Sequence, residues 1–206
     1  MAETNFTPVE LIRATLEVYD PQNLGIIIGT SALHWAIEAR VSCAVKIPFT
    51  DVDLFASIED VDAIHRRLPD EMCGDITLND GRLTVDPSIA ARRIGVSILD
   101  VMSGGDSYDD ALVRTHSNSR VYVRDTDIDV HVIEDNRNYL SLPFTCWWKA
   151  ATGRPTDFKT LQALLITMLE SGLFSVNEFH SVAQAIEHGK TGYDFYGNPI
   201  PSDDYE

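Results

Sequence analysis

Two short runs of this chain hold residues of the right types and spacing for chemistry on a phosphate ester. Asp51-Val52-Asp53 sets two carboxylates one residue apart, and Gly29-Thr30-Ser31 is a small-residue turn earlier in the chain. In an extended strand alternate side chains share a face, so Asp51 and Asp53 point the same way and can hold a divalent metal as a fixed pair. Such a metal neutralises a triphosphate and activates an attacking hydroxyl, which phosphoryl or nucleotidyl transfer requires. A third carboxylate from a neighbouring strand would complete the site. Two solvated aspartates at a strand end are the plain alternative in so acidic a chain, and the turn is what favours the metal reading. Where a strand feeds a helix, backbone N–H groups and the helix N-terminus can meet phosphate, and glycine leaves space for close approach. Alone, the same turn reads as an ordinary helix start capped by Thr30 or Ser31. No Walker A sequence occurs, and Gly29 has no partner glycine of a dinucleotide fingerprint.

The elements that must position these residues follow from the apolar pattern. Leu24 to Ile28 is continuously apolar, as expected of a central strand covered on both faces, and Ser31 to Arg40 reads as a helix through Leu33, Ala36 and Ile37. After a loop from Val41 to Thr50, Val52, Leu54 and Ala56 alternate with Asp51, Asp53 and Phe55 at the start of a second strand. Ahead of this unit, Thr7-Pro8-Val9-Glu10 starts a packing helix that Asp20-Pro21 stops. Beyond it, Ser57 to Leu68 reads as a helix and Asp75 to Val85 as a hairpin turning at Asn79-Asp80-Gly81. Ile94 to Met102 reads as a strand carrying Asp100, ended by Gly104-Gly105. Asp109 to Arg114 is a short helical candidate, and Arg120 to Ile133 is β, as one bent strand or two. From Phe144 to Glu170 the pattern is helical with a break at Gly153-Arg154-Pro155, and Phe174 to His188 is a last amphipathic helix. The expected class is α/β (α+β): a mixed sheet flanked by helices, with a C-terminal helical portion from about residue 144. Residues 1–190 are expected to form a single domain, and 191–206 an acidic, loosely held tail.

Composition narrows the partners. The 206 residues, 44% hydrophobic and 23% charged, are enough for one substantial core. With 32 acidic against 16 basic residues the net charge is −16, a field that disfavours extended nucleic acid. A nucleotide is compatible with it, because magnesium bridges a triphosphate to carboxylates. Cys43, Cys73 and Cys146 are scattered without a CxxC and read as buried thiols, not as a disulfide framework or zinc site. The start lacks the features of a signal peptide, and no apolar run approaches the roughly 20 residues of a membrane span. A soluble, cytoplasmic protein with no membrane partner is expected.

The glycine turn followed by a strand opening on Asp51-Val52-Asp53-Leu54 resembles the DNA polymerase β-like nucleotidyltransferase superfamily, whose signature is a glycine and a small residue at a strand-to-helix turn, then DxD. Lys46 and Thr50 are similar to the basic residue and threonine that often precede that motif. The gap from Ser31 to Asp51 is longer than is common there. A second resemblance lies in Lys149-Ala150-Ala151-Thr152-Gly153-Arg154-Pro155-Thr156-Asp157-Phe158, followed by Leu161 and Leu164. It looks like the lysine and GRxKD segment of the AbiEii-type toxins of toxin–antitoxin pairs and of small stand-alone nucleotidyltransferases. Lys149, Arg154 and Asp157 match, whereas Thr156 stands where that pattern has a second lysine. The two resemblances span most of the chain, with long unmatched stretches.

They imply an enzyme that binds a nucleoside triphosphate (NTP, as in ATP binding) with Mg2+ or Mn2+ and moves its nucleotidyl group to an acceptor hydroxyl, releasing pyrophosphate. Asp51 and Asp53 would hold the metal and Gly29, Thr30 and Ser31 would position the phosphates, with Lys149, Arg154 and Asp157 nearby. Asp100 is the chosen third carboxylate, because its strand follows the hairpin and in that branch such a strand precedes the lysine segment. Asp129, in Asp127-Ile128-Asp129-Val130-His131, is the alternative, though residues 127, 129 and 131 equally suit the polar side of an edge strand. The acceptor is open among a small molecule, a protein hydroxyl and a tRNA end. His34 reads as a surface or packed imidazole, His131 as a weak metal candidate, Trp147-Trp148 and the leucines around Leu164 as core. A fold kept for nucleotide binding without transfer, or a plain interaction protein solubilised by its acids, stays open beside the enzyme.

Overall fold

The computed structural model describes residues 6–38, 47–103, 131–134, 136–151 and 155–189. Helix α1 (Pro8–Tyr19) begins with a reciprocal cap: Glu10 N–H donates to Thr7 Oγ1 at 3.3 Å, and Thr7 N–H to Glu10 Oε2 at 2.8 Å. It buries Ile12, Thr15, Leu16 and Tyr19 and ends at Asp20, which is itself buried. The Asp20 carboxylate accepts the N–H groups of Leu24 at 2.8 Å and Gly25 at 3.1 Å. Those amides are therefore taken up before the next strand begins. This is why β1 (Ile26–Ile27) starts later than the Leu24 that the apolar run suggests; at its other end Ile28 N–H still donates to the Asp53 carbonyl at 3.0 Å before the chain turns at Gly29. As expected it is central, with Ile26, Ile27 and Ile28 all fully buried.

Helix α2 (Gly29–Glu38) follows at once, and β2 (Asp51–Ala56) runs antiparallel to β1 with Ile27 opposite Leu54. After α3 (Ile58–His65), capped by Ser57, come β3 (Cys73–Asn79) and β4 (Arg82–Pro87). Their turn has Asp80 and Gly81 at φ of 46° and 79°, the paired positive values of a type I′ hairpin. Strand β5 (Ile98–Ser103) pairs antiparallel with β4 and parallel with β2. It is shorter than the strand expected from Ile94. The residues before it form α4 (Ile89–Arg93), which Ser88 starts by accepting Ala91 N–H at 3.2 Å and which gives way to Gly95 at φ +86°.

Strands β6 (His131–Glu134) and β7 (Arg137–Leu140) make a second hairpin, and β7 lies parallel to β1. Strand β7 has no counterpart in the sequence reading, since Arg137-Asn138-Tyr139-Leu140 is too short and mixed to show alternation. Helices α5 (Leu142–Ala151), α6 (Pro155–Glu170) and α7 (Val176–Gly189) match the helical C-terminal pattern. The candidate helix Asp109 to Arg114, most of Arg120 to Ile133 and the tail 191–206 lie outside the described residues.

The result is a mixed seven-stranded sheet in the order β3-β4-β5-β2-β1-β7-β6, flanked by helices, the α/β class that the pattern predicts. One face of β4, β5 and β2 is apolar: Leu83, Val85, Leu99, Val101, Val52 and Leu54 are fully buried there, against α1 and α3. Helix α2 is enclosed between α1 and α5, burying Leu33, Trp35, Ala36 and Ile37. Leu161, Leu164 and Met168 of α6 are core, as are Trp147 and Cys146 of α5; Cys73 is half-buried and Cys43 lies outside the described residues. Among the described residues no helix is long and apolar enough to cross a membrane.

Asp20 also joins distant parts of the fold, because Arg137 Nη1 donates to its carbonyl at 2.8 Å and sits 3.8 Å from its carboxylate. Replacing Asp20 by alanine leaves the Leu24 and Gly25 N–H groups without an acceptor and removes the counter-charge 3.8 Å from the Arg137 guanidinium, which keeps its bond to the backbone carbonyl. The expected cost is about 3 kcal/mol, read by denaturant unfolding, and a loss below about 1 kcal/mol would show that the junction is not held in this way.

Candidate active site

Pairing across the sheet brings acids together that are far apart in the chain. In the parallel ladder of β2 and β5, Asp53 is opposite Asp100, and in the antiparallel ladder of β5 and β4, Asp100 is opposite Thr84. Cross-strand partners share a face, so Thr84, Asp100 and Asp53 form a row with Asp51 beside it. This is the face opposite the apolar one. Asp129, the alternative third acid, lies outside the described residues, whereas Asp100 stands next to the pair.

The turn before α2 is built around Asp53. Gly29 has φ +59°, and a Cβ added to it would stand 2.7 Å from Asp53 Oδ2. Any side chain there would be strained and would fill the space beside that oxygen. The first bond within the helix runs from Ala32 N–H to the Ile28 carbonyl at 3.0 Å, so the amides of Gly29, Thr30 and Ser31 have no helical carbonyl to meet. The Ser31 hydroxyl, fully buried, donates to the Asp51 carbonyl at 3.0 Å and accepts Asp53 N–H at 3.2 Å. Its side chain thus stitches the helix start to β2. Ser31 itself is fully buried, so the surface that the turn offers a phosphate belongs to Gly29 and Thr30.

Electrostatics at the site are set by crowding of like charges. Burial first, then the carboxylates of Asp51 and Asp100, push Asp53 up to about 7, against the lowering pull of Lys149 and Arg82. Thr50 Oγ1 donates to Asp51 Oδ1 at 2.6 Å and orients it. Asp100 is met differently. Arg82 donates from Nε to its Oδ1 at 2.9 Å and from Nη2 to its Oδ2, while Thr84 Oγ1 donates to Oδ1 at 3.2 Å.

The donor set suits a hard divalent cation, which takes carboxylate oxygens. The absence of a Cβ beside Asp53 Oδ2 and the mutual repulsion of Asp51, Asp53 and Asp100 fit such an ion at Asp51 and Asp53. Among the described residues no group of three or more His, Cys, Asp or Glu side chains is gathered for a metal. Both Asp100 oxygens are turned to the hairpin instead.

A cleft of about 290 Å³ runs from the turn to the C-terminal helices. Thr30 of α2, Thr50 before β2, Lys149 of α5, and Asp157 and Thr160 of α6 supply its polar groups, over Leu33, Ile47 and Leu161. Lys149 Nζ lies 3.2 Å from Asp157 Oδ1. The lysine segment and the glycine turn therefore share one cavity. Arg154 and Lys46 lie outside the described residues. His34 is buried, edge-on to Phe49 at 5.6 Å, and Trp147 is core. Sequence reading missed Arg82, Thr84 and Thr160. The hairpin signal did place Arg82 and Thr84 on one face of a strand, but not which strand they would adjoin.

No family model matches this chain, and no curated protein does. Among solved structures, it is similar to a protein of H. pylori described as a candidate nucleotidyltransferase, at 12% identity and a TM-score of 0.49, over 93% of this chain and 78% of that one. It is similar to JHP933 from Helicobacter pylori at 14% identity and a TM-score of 0.47, over 86% and 70%. A third likeness is to the Megavirus polyadenylate synthase, at 11% identity and a TM-score of 0.45, over 75% of this chain and 30% of that one.

Two expectations follow from the site. Gly29→Ala is expected to lose roughly 1–2 kcal/mol from the left-handed backbone alone, and more from the contact with Asp53; an alanine variant as stable as the parent in denaturant would refute that contact. Asp53 has a folded value of about 7, above the ordinary carboxylate range. Its contribution to stability is thus fully present below the unfolded value near ~4 and is lost as pH rises through about 7. In chelator, Asp53→Asn should melt above the parent at pH 8 by a few degrees and lose that advantage at pH 4. Melting curves that shift in parallel at both pH values would count against it.

Proposed function

We propose that this chain is a metal-dependent nucleotidyltransferase of the DNA polymerase β-like superfamily, moving a nucleotidyl group from an NTP to an acceptor hydroxyl with release of pyrophosphate. The observation that carries the reading is the crowding of Asp51, Asp53 and Asp100 on one sheet face directly beside Gly29 at the start of α2. Asp51 and Asp53 would hold Mg2+ or Mn2+, which supplies neutralisation of the triphosphate and activation of the acceptor hydroxyl. The amides of Gly29 and Thr30, on the part-exposed turn that Ser31 anchors, bind phosphate oxygens at the helix start, where the dipole favours negative charge. Lys149, held by Asp157 at the other wall, adds a positive charge facing the same cleft. Thr50 keeps Asp51 in place and Ser31 keeps β2 against the turn.

The matching lysine segment favours the AbiEii-type and small stand-alone branch, since Lys149 and Asp157 do line the cleft with Thr30. Small molecules, protein hydroxyls and tRNA ends are the candidate acceptors, in a soluble, cytoplasmic setting. A second reading, nucleotide binding without transfer, is favoured by one feature: Asp100 faces Arg82 and Thr84.

Incubation with each labelled NTP, Mg2+ and a cell extract should label one acceptor and release pyrophosphate. Asp51→Ala and Asp53→Ala should abolish labelling, by at least about 100-fold, with circular dichroism unchanged. Full metal-dependent transfer by both variants would sink the assignment, and binding of NTP by the parent without pyrophosphate release would establish the second reading.

A further inference from the structure

Asp100 differs from its two neighbours in having both oxygens committed to cross-strand partners. The geometry comes from the hairpin. Arg82 opens β4 directly after the type I′ turn and lies opposite Met102, so it reaches Asp100 along the diagonal, a separation that a long side chain spans. Thr84, directly opposite Asp100, adds a neutral bond. The pair is unequal in exposure: the Asp100 side chain is 7% exposed and that of Arg82 is 62%. A buried acid cannot return to water, but this guanidinium can do so at little cost. Arg82 also feels the charges of Asp53 and Asp51, so it serves as counter-ion to the whole cluster and not to one acid.

Resting on the reading of Asp51 and Asp53 as a metal pair, we propose that Arg82 is a latch on Asp100: it holds the third carboxylate away from the pair, and a divalent cation gains Asp100 only by displacing the guanidinium. The latch explains two observations together. Three acids are tolerated side by side because a cation from the protein is shared among them. Yet among the described residues no three-acid metal group is formed, because that same cation has turned Asp100 aside. Arg82 therefore acts as a positioning residue through Asp100, and it sets the divalent-ion concentration at which the third carboxylate joins the site.

The test is Mn2+ binding to the full chain without nucleotide, at pH 8, followed by electron paramagnetic resonance. Arg82→Gln should tighten Mn2+ roughly fivefold, the factor that about 1 kcal/mol of a half-exposed ion pair represents. Thr84→Val, which loosens Asp100 without changing any charge, should tighten it by less. In an Asp100→Asn background Arg82→Gln should bring no gain, because the acid to be released is gone. An equal gain in that background would mean that Arg82 acts through its field alone, and would overturn the latch. So would unchanged or weaker binding in Arg82→Gln, or in Thr84→Val if Arg82→Gln fails to melt cooperatively. The underlying metal reading fails separately, and the latch with it, if the parent's Mn2+ binding is absent or indifferent to Asp53→Asn.

Discussion

An oxygen of Asp53 occupies the space that a Cβ at residue 29 would need, and the architecture around the site depends on that close approach. Only glycine can sit there, at φ +59°, with no Cβ to meet Oδ2. Because the chain turns so tightly, α2 starts directly against β2, and the buried Ser31 hydroxyl can bond the backbone on both sides of Val52. Free helix amides and a carboxylate pair are thereby held on one rigid junction. A loop would hold them less firmly, since each of these groups is fixed by backbone bonds within regular elements.

The second constraint is electrostatic. Placing Asp53 next to Asp51 and Asp100 in a half-buried setting raises the free energy of its charged form, as its value of about 7 records. Two cations of the protein oppose this. Arg82 bonds Asp100 directly, and the charge of Lys149 acts on Asp53. The apolar face of the same strands, with Leu83, Leu99 and Val52 fully buried, secures the sheet against this repulsion. Strand β2 thus serves core on one side and chemistry on the other, which strict alternation permits.

Much of this was legible from the linear pattern. The capping box of α1, the type I′ hairpin at Asp80-Gly81 and the strand of Asp51 are local features, determined by neighbours in the chain. The short β7 was not legible, because its stability comes from lying beside β1 and not from its own alternation. The truncation of β1 was hidden for a related reason: Leu24 and Gly25 spend their amides on Asp20, a bond that apolar periodicity does not register. Ile94 to Ser97 looked like strand but follow a helical turn that Ser88 begins.

By itself the sequence determined which residues are chemically capable, the carboxylates of Asp51 and Asp53, the glycine turn and the Lys149 to Asp157 segment, since residue type and spacing along an element are local properties. Only the tertiary structure decided how they meet. Register between β2 and β5 put Asp100 opposite Asp53, and register between β4 and β5 aimed Arg82 and Thr84 at Asp100. Such pairings join residues far apart in the chain, and a shift of one position would turn each side chain to the other face. The burial of the hydrophobic set sets that register, and so the core, not the polar motif, determines which acids share the site.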